Sequence, residues 1–506
     1  MKLALLLLNI YCKSKEGAII LAFNDLREFI AALEAKGWLK RIKEPVDCDL
    51  EITEITDRVS KMTGDKNVAL LFENVKGYDI PVLMNAFGSM ERMALALGVE
   101  KIDDIADEIR ELLKLPYISL KNKLDVIKII PQAKKAINFP KYVKNGPCKE
   151  VIIKDQPSID KFPILKCWPQ DGGKFITLPM VFTKNPKTGK RNVGMYRLQK
   201  YDGQTTGMHW HIHKNGADNF RDHIEIGKDR IEVAVAIGAD PVLTYAATAP
   251  LPRDVDEMVF AGMLRKKSVE MVKCETIDVE VPAHSEIVLE GYVLLDELRR
   301  EGPFGDHTGY YSLADMYPVF HITCITHRKN PIYPSTIVGK PPMEDCFLAK
   351  ATERIFLPFL QQQIPEIVDI NLPLEGVFHN CAMVSIKKTY PQQAKKVMHA
   401  IWGMGQMMFT KMIIIVDAHV NVQDTNEVWW RVFNNIDARR DIVMVDGPLD
   451  VLDHSSPMPN WGTKVGIDAT KSVPAEGHTR EWPDEIVMSE DIKKIVDEKW
   501  RRLNLE

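Results

Sequence analysis

Glu301 and Asp306 stand five residues apart in the run Glu301-Gly302-Pro303-Phe304-Gly305-Asp306-His307-Thr308-Gly309-Tyr310. Gly and Pro force such a segment to turn. Two carboxylates brought together push their pKa values apart, so one keeps a proton as an acid while the other stays an anion. A solvated turn with incidental acids has the same composition, and the loop alone does not separate the two readings. His307 adjoins Asp306 and has the chemistry of a proton relay near neutral pH. Arg197 lies in the apolar run Asn192–Gln199, where strand alternation gives it the face of Met195 and Gln199. A long cation on a buried face must be paired, in a core salt bridge or in a site. His209, His211 and His213 alternate, which on a strand places all three on one face. Imidazoles so grouped suit a transition metal, as in a metal hydrolase; three unrelated histidines on a strand edge fit the pattern too.

The elements that must hold these groups are mixed. Asn24 is expected to cap a helix carrying Leu26, Phe29, Ile30 and Leu33 at helical spacing, with Gly37 closing it. Amphipathic helices are expected over Met90–Leu97 and Ile102–Leu113, and residues 129–150, rich in Lys and Pro, read as a connector. Beyond it come short strand-like runs at Val151–Ile153, Val181–Phe182, Val193–Gln199, Met208–His213, Val233–Ile237, Ile277–Val281 and Ile287–Val293. Asp202-Gly203 signals a hairpin pairing the Arg197 run with the His209 run. After about residue 335, Ala382–Ile386, a helix around Ala394–Met404, and Met412–Val416 form a strand, helix, strand unit. Ser489 caps a last helix with Ile492, Ile495, Val496, Trp500 and Leu503.

A chain of 506 residues exceeds what one hydrophobic core organises, so two or three domains are expected. Its 66 basic and 70 acidic residues are dispersed and leave a net charge of −4, which argues against a nucleic-acid partner. Eight cysteines form no C-x-x-C pair, against a zinc knot or a disulfide framework and in favour of the cytoplasm. The apolar start Met1–Leu8 is too short to span a bilayer, and Asn9, Ile10 and Tyr11 replace the small residues of a signal cleavage site. The stretch before Phe23 reads as an extension upstream of the folded chain. Neither G-x-G-x-x-G nor G-x-x-x-x-G-K-[ST] occurs, which removes the common dinucleotide and nucleoside-triphosphate readings.

Together, Asn192–Gln199, His213–Ala217, Pro250–Pro252 with Glu257–Gly262, Ser285–Gly291 and Glu301–Tyr310 resemble the UbiD family of decarboxylases, from about Phe23 to the last helix. The resemblance implies an α/β (α+β) fold: an N-terminal α/β domain over 23–128, a split flavin-binding β-barrel over 129–334, a C-terminal α/β oligomerisation domain over 335–480, and a terminal helix over 485–506 packing on a partner subunit. It implies prenylated FMN, because carbon dioxide leaves an unsaturated carbon only if the electrons left behind have a sink, which no side chain provides. The family's flavin does so through a transient covalent adduct with the substrate.

By the same resemblance, Arg197, Glu301 and Asp306 are the catalytic set, with Asp306 as proton donor. Asn192, His213 and Glu257 are expected to hold Mn2+ or Mg2+ on the flavin phosphate, with K+ beside it. Met195, Tyr196, Arg197, Leu198, Lys214, Ala247, Thr248, Ala249 and Pro250 join Asn192, His213 and Glu257 as cofactor-binding residues, and Lys395 is a further phosphate candidate. The expected activity is reversible non-oxidative decarboxylation of an aromatic or α,β-unsaturated acid, by a homodimer or homohexamer supplied by a separate flavin prenyltransferase. Within the fold the alternatives are a polyprenyl-4-hydroxybenzoate decarboxylase of quinone biosynthesis and an aryl carboxylase or aryl-coenzyme A decarboxylase. Outside it are the histidine-cluster hydrolase and a non-catalytic carboxylase subunit, neither of which accounts for the carboxylate and Arg blocks.

Overall fold

The computed structural model describes residues 22–113, 138–210, 215–252, 255–500 and 502–503. The apolar start Met1–Leu8, much of the connector, and His211, His213 and Lys214 lie outside the described residues.

The first helix, Leu26–Ala35, buries the expected stripe Leu26, Phe29, Ile30 and Leu33. Its cap is Asp25 rather than Asn24, since the Asp25 carboxylate accepts from the N–H groups of Arg27 and Glu28. Asn24 instead donates through its backbone and amide to Glu28. Helices Met90–Leu97 and Ile102–Leu113 form where their periodicity places them. Strands Leu39–Ile42, Ala69–Phe72, Val82–Met84 and Tyr333–Pro334 make the N-terminal sheet. Its last strand comes from far along the chain, and the helix Glu344–Gln363 packs on Ile102–Leu113. One apolar core therefore runs from Phe29 through Met180 and Val288 to Ile355.

The centre is a seven-stranded sheet ordered Thr205–Gly207, Asp315–His327, Ile287–Glu301, Arg230–Ile237, Met180–Lys184 and Arg191–Gly194, with Val151–Ile153 also on Asp315–His327. Its pairings are antiparallel. Several expected strands form differently. The Asn192–Gln199 strand breaks at Met195–Arg197: Arg191–Gly194 pairs with Met180–Lys184, whereas Leu198–Gln199 pairs with Phe175–Ile176 in another sheet. At the break the Met195 N–H leaves the ladder for the Ala247 carbonyl, 3.0 Å away. The hairpin at Asp202-Gly203 forms, with Tyr201 bonding Thr205, but its second strand is Thr205–Gly207 and Met208–Trp210 is irregular. The alternation that would put His209 on a common strand face with His211 and His213 therefore does not hold at His209. Near Ile277–Val281 the strand is Glu280–Pro282.

In the C-terminal part, Cys381–Ile386, Met412–Asp417 and Trp461–Asp468 pair in parallel, flanked by antiparallel Ile367–Asn371 and Ile442–Pro448. The helix Gln393–Trp402 makes the expected crossover. The last helix, Glu490–Trp500, leaves Ile492, Ile495, Val496 and Trp500 exposed in the single chain. No helix among the described residues is long and apolar enough to cross a membrane.

Candidate active site

Glu301 is the last residue of the strand Ile287–Glu301, paired with Asp315. The chain then folds back on itself, because Phe304–Gly305 pairs with Tyr311–Ser312 and Asp306 closes the turn through its N–H to Tyr310 and its carbonyl to Gly309. The acidic loop is thus a small hairpin rather than an open turn. Gly305 sits where a Cβ would lie 2.2 Å from Trp168, so the loop packs this closely only without a side chain there. Asp171 and Gln199 pin it: Asp171 accepts from the Gly305 N–H at 2.8 Å, and Gln199 from the Gly302 N–H at 2.6 Å.

Arg197, at the crossover between two sheets, reaches into this hairpin. Its Nε donates to Glu301 Oε1 at 3.0 Å, Nη1 to Asp306 Oδ2 at 2.5 Å and Nη2 to the Ser312 hydroxyl at 3.1 Å. Below the guanidinium lies the Phe304 ring, 4.5 Å away. The crossover that breaks the strand is what lets one arginine span both carboxylates. Glu301 and Asp306 are buried, and Glu301 Oε2 has no protein partner among the described residues.

His209 belongs to the same network. Its Nδ1 lies 2.7 Å from Glu301 Oε1, and its ring packs 4.2 Å from Tyr317. Burial and the nearby Arg197 charge hold His209 below its ordinary pKa, so it is a neutral donor to Glu301. Burial alone would raise Glu301, but His209 and Arg197 outweigh it and keep the carboxyl below its usual range. Asp306 shows the same contest more strongly, with Arg197 and His307 overcoming burial and holding it well below the carboxylate range. Burial pulls His307 down, yet its bond to Asp306 at 2.9 Å leaves it above its ordinary value.

The other sequence candidates form a second group. Asn192 is buried on Arg191–Gly194, and Glu257 opens the helix Glu257–Leu264, accepting from the Val193 N–H at 2.9 Å. The Tyr196 hydroxyl accepts from the Gly216 N–H, bringing the start of the helix Asn215–Glu225 to the same place. Glu257 forms no ion pair among the described residues, and burial pushes its pKa up to about 8. A buried carboxylate whose burial outweighs the pull of the Arg191 charge, beside a buried amide, is a hard-oxygen donor set that fits a divalent cation. Met195 meets the turn Ala247–Pro250 through its bond to Ala247, and Thr248 donates its hydroxyl to the Tyr245 carbonyl at that helix end. Leu198 is fully buried in the apolar core and supports this region by packing.

Sequence reasoning missed Ser312, Gln199, Asp171 and the role of His209. Gln199 carried a signal, since it stands two residues from Arg197; the others act across gaps of about a hundred residues that no local pattern reports.

Family models match the chain in three consecutive parts. These are the 3-octaprenyl-4-hydroxybenzoate carboxy-lyase N-terminal domain over residues 30–112, its Rift-related domain over 141–341 and its C-terminal domain over 346–469. An uncharacterized protein of Archaeoglobus fulgidus is 56% identical over 485 residues, covering 96% of this chain and 99% of its own length. Among solved structures, the closed form of the vanillic acid decarboxylase of Sedimentibacter hydroxybenzoicus superposes with a TM-score of 0.81 at 29% identity, covering 96% of this chain and 99% of that one. An evolved dimeric form of the UbiD-class enzyme HmfF from Pelotomaculum thermopropionicum, in complex with prFMN, gives 0.77 at 29% identity, covering 93% and 98%.

Proposed function

The chain belongs to the UbiD family of carboxy-lyases, and from that premise we propose that it decarboxylates an aromatic or α,β-unsaturated carboxylic acid reversibly and without net oxidation, using prenylated FMN. The observation that carries this reading is Arg197 clamped between two buried carboxylates. The prFMN complex of the HmfF relative supports the cofactor.

When bound, the flavin supplies the electron sink that decarboxylation at an unsaturated carbon needs. The protein's own groups do the rest. Three of the five guanidinium N–H groups of Arg197 bond to described residues, leaving two for a substrate carboxylate. A carboxylate docking there competes with Asp306 for the Arg197 charge. That relaxes the force holding Asp306 ionised and lets it take up the proton it delivers to carbon. Glu301, fixed by His209, stays anionic and keeps Arg197 oriented. Asn192 and Glu257, with His213 as the third expected ligand, would hold Mn2+ or Mg2+ at the flavin phosphate, with K+ alongside.

Seven described cysteines are free and buried, which supports a reducing compartment, the cytoplasm. The exposed stripe of the last helix supports a homodimer or homohexamer, and a flavin prenyltransferase would supply the cofactor. The test is the mass of the cofactor released from protein co-produced with such a prenyltransferase, followed by carbon dioxide release from a panel of benzoic, hydroxybenzoic and cinnamic acids. FMN heavier by one five-carbon unit, with turnover of any panel acid, is the expected result. A colourless protein carrying only a transition metal would refute the reading.

A further inference from the structure

Asp306 must be reprotonated once per turnover, yet it is buried and clamped by Arg197. The only route offered by its own loop is His307, whose Nδ1 meets Asp306 Oδ1 at 2.9 Å. The far nitrogen of that ring, Nε2, lies 2.8 Å from Nε2 of His379, more than seventy residues on in the C-terminal part of the chain. Two facing imidazole nitrogens at this distance share one proton, one ring donating and the other accepting.

The segment that presents His379 is strained. Val377 and Phe378, directly before it, have φ of 44° and 53°, a left-handed conformation that a β-branched and an aromatic residue in succession adopt only under strain. This backbone stacks the Phe378 ring on His307, with centroids 5.1 Å apart, while aiming His379 at the same ring's edge. The other charged groups facing His307 are acidic: Asp345 at the start of the helix Glu344–Gln363, which burial pushes up to about 6, and Asp450 from the loop after Ile442–Pro448. The surroundings thus favour a proton on these rings.

We propose that His307 and His379 are a two-imidazole relay that recharges Asp306 from the C-terminal part of the chain, complete only when Val377–His379 is docked on the acidic hairpin. The proposal rests on the decarboxylase reading for its purpose but not for its geometry. In the transfer Asp306 Oδ1 gains the proton of His307 Nδ1 while His307 Nε2 gains that of His379 Nε2, so the one extra proton held by the imidazole pair ends on Asp306 and His379 is left neutral with its proton on the buried Nδ1. The pair passes from one positive charge to none, and His307 exchanges tautomers. Solvent returns a proton to the pair when the segment lifts on product release.

Two measurements test this. In full-length protein with 15N-labelled histidine, replacing His379 by Gln shifts the titration midpoint and tautomer ratio of His307; an unchanged His307 overturns the relay whether or not a substrate is known. In holoenzyme assayed with the panel acid that the wild type turns over fastest, His379→Ala loses about a hundredfold in rate. Added imidazoles then restore turnover in step with their pKa. Undiminished turnover in His379→Ala overturns the relay. So does a loss that His379→Gln repairs and imidazoles do not, since that marks a packing role. If the wild type turns over no panel acid, the decarboxylase reading fails and the histidine titration alone decides the relay.

Discussion

The molecule buries two arginine–carboxylate networks built from similar parts, and they are finished differently. In one, Glu286 is fully buried and accepts Arg27 Nε at 2.8 Å, Arg27 Nη2 at 2.9 Å, Arg328 Nη1 at 3.3 Å and the Ile332 N–H at 3.0 Å, while Asp25 accepts from the same Arg328 Nη1 at 2.8 Å. Both of its carboxylate oxygens are bonded by fixed groups. In the other, Arg197 retains unused donors, Glu301 Oε2 lacks a partner among the described residues, and Asp306 leads on to two histidines. A closed network staples the N-terminal helix to the central sheet; an open one has bonding capacity left for a substrate. Charge alone does not distinguish them.

The sharpest break between the two comes from substitution at the open network. Arg197→Ala and Glu301→Gln each lower turnover by about a thousandfold or more, the size expected when a preorganised charge is removed from a reacting centre. Both variants still fold, but Arg197→Ala leaves Glu301 and Asp306 buried without their cation and lowers the urea midpoint, whereas Glu301→Gln keeps the shape and stays closer to the wild type. Full activity in either variant removes the pair from the mechanism. Glu257 is a third kind of buried carboxylate, one with no ion pair among the described residues, and Glu257→Ala is expected to lose bound divalent metal and yellow flavin together. Retention of both, read by metal analysis and absorbance, would place the cofactor elsewhere.

At the closed network the effect moves from rate to stability. Glu286→Ala takes the carboxylate from Arg27 and leaves Arg328 with Asp25 alone, and costs about 1–3 kcal/mol of folding free energy, with turnover per folded molecule unchanged below the midpoint. A variant as stable as the wild type would mean that the network is solvated and the contrast drawn above fails.

The sequence made the open network legible and left the closed one obscure. Glu301, Asp306 and Arg197 were readable because the Gly and Pro residues around them dictate a turn and an apolar run makes a lone cation conspicuous. The helices Met90–Leu97 and Ile102–Leu113 were legible from period alone. What pattern misses is contact across the chain. Arg27 and Glu286 are 259 residues apart, and His209 looked like one of three metal ligands until Glu301, 92 residues on, took its nitrogen. The break at Met195–Arg197 was invisible for the same reason, since a distant carbonyl at Ala247 draws the backbone out of its strand.

The smallest expected effect is a pH dependence that belongs to the open network alone. His307 has its pKa raised above the ordinary 6.5 because the bond to Asp306 outweighs burial, so the folded state holds its proton more tightly than the unfolded chain does. The stability this adds is fully present below pH about 6.5 and is lost as pH rises through the raised value, while Asp306 stays ionised throughout. In His307→Gln that contribution is missing. The wild type therefore exceeds the variant by about 1–2 kcal/mol near pH 6, the scale of one charge-assisted hydrogen bond, and the gap narrows toward pH 9. Urea midpoints of the two proteins across that range measure it. A gap that is constant with pH would show His307 to be neutral when folded, leaving Asp306 without a charged partner on that side and making the open network depend on Arg197 alone.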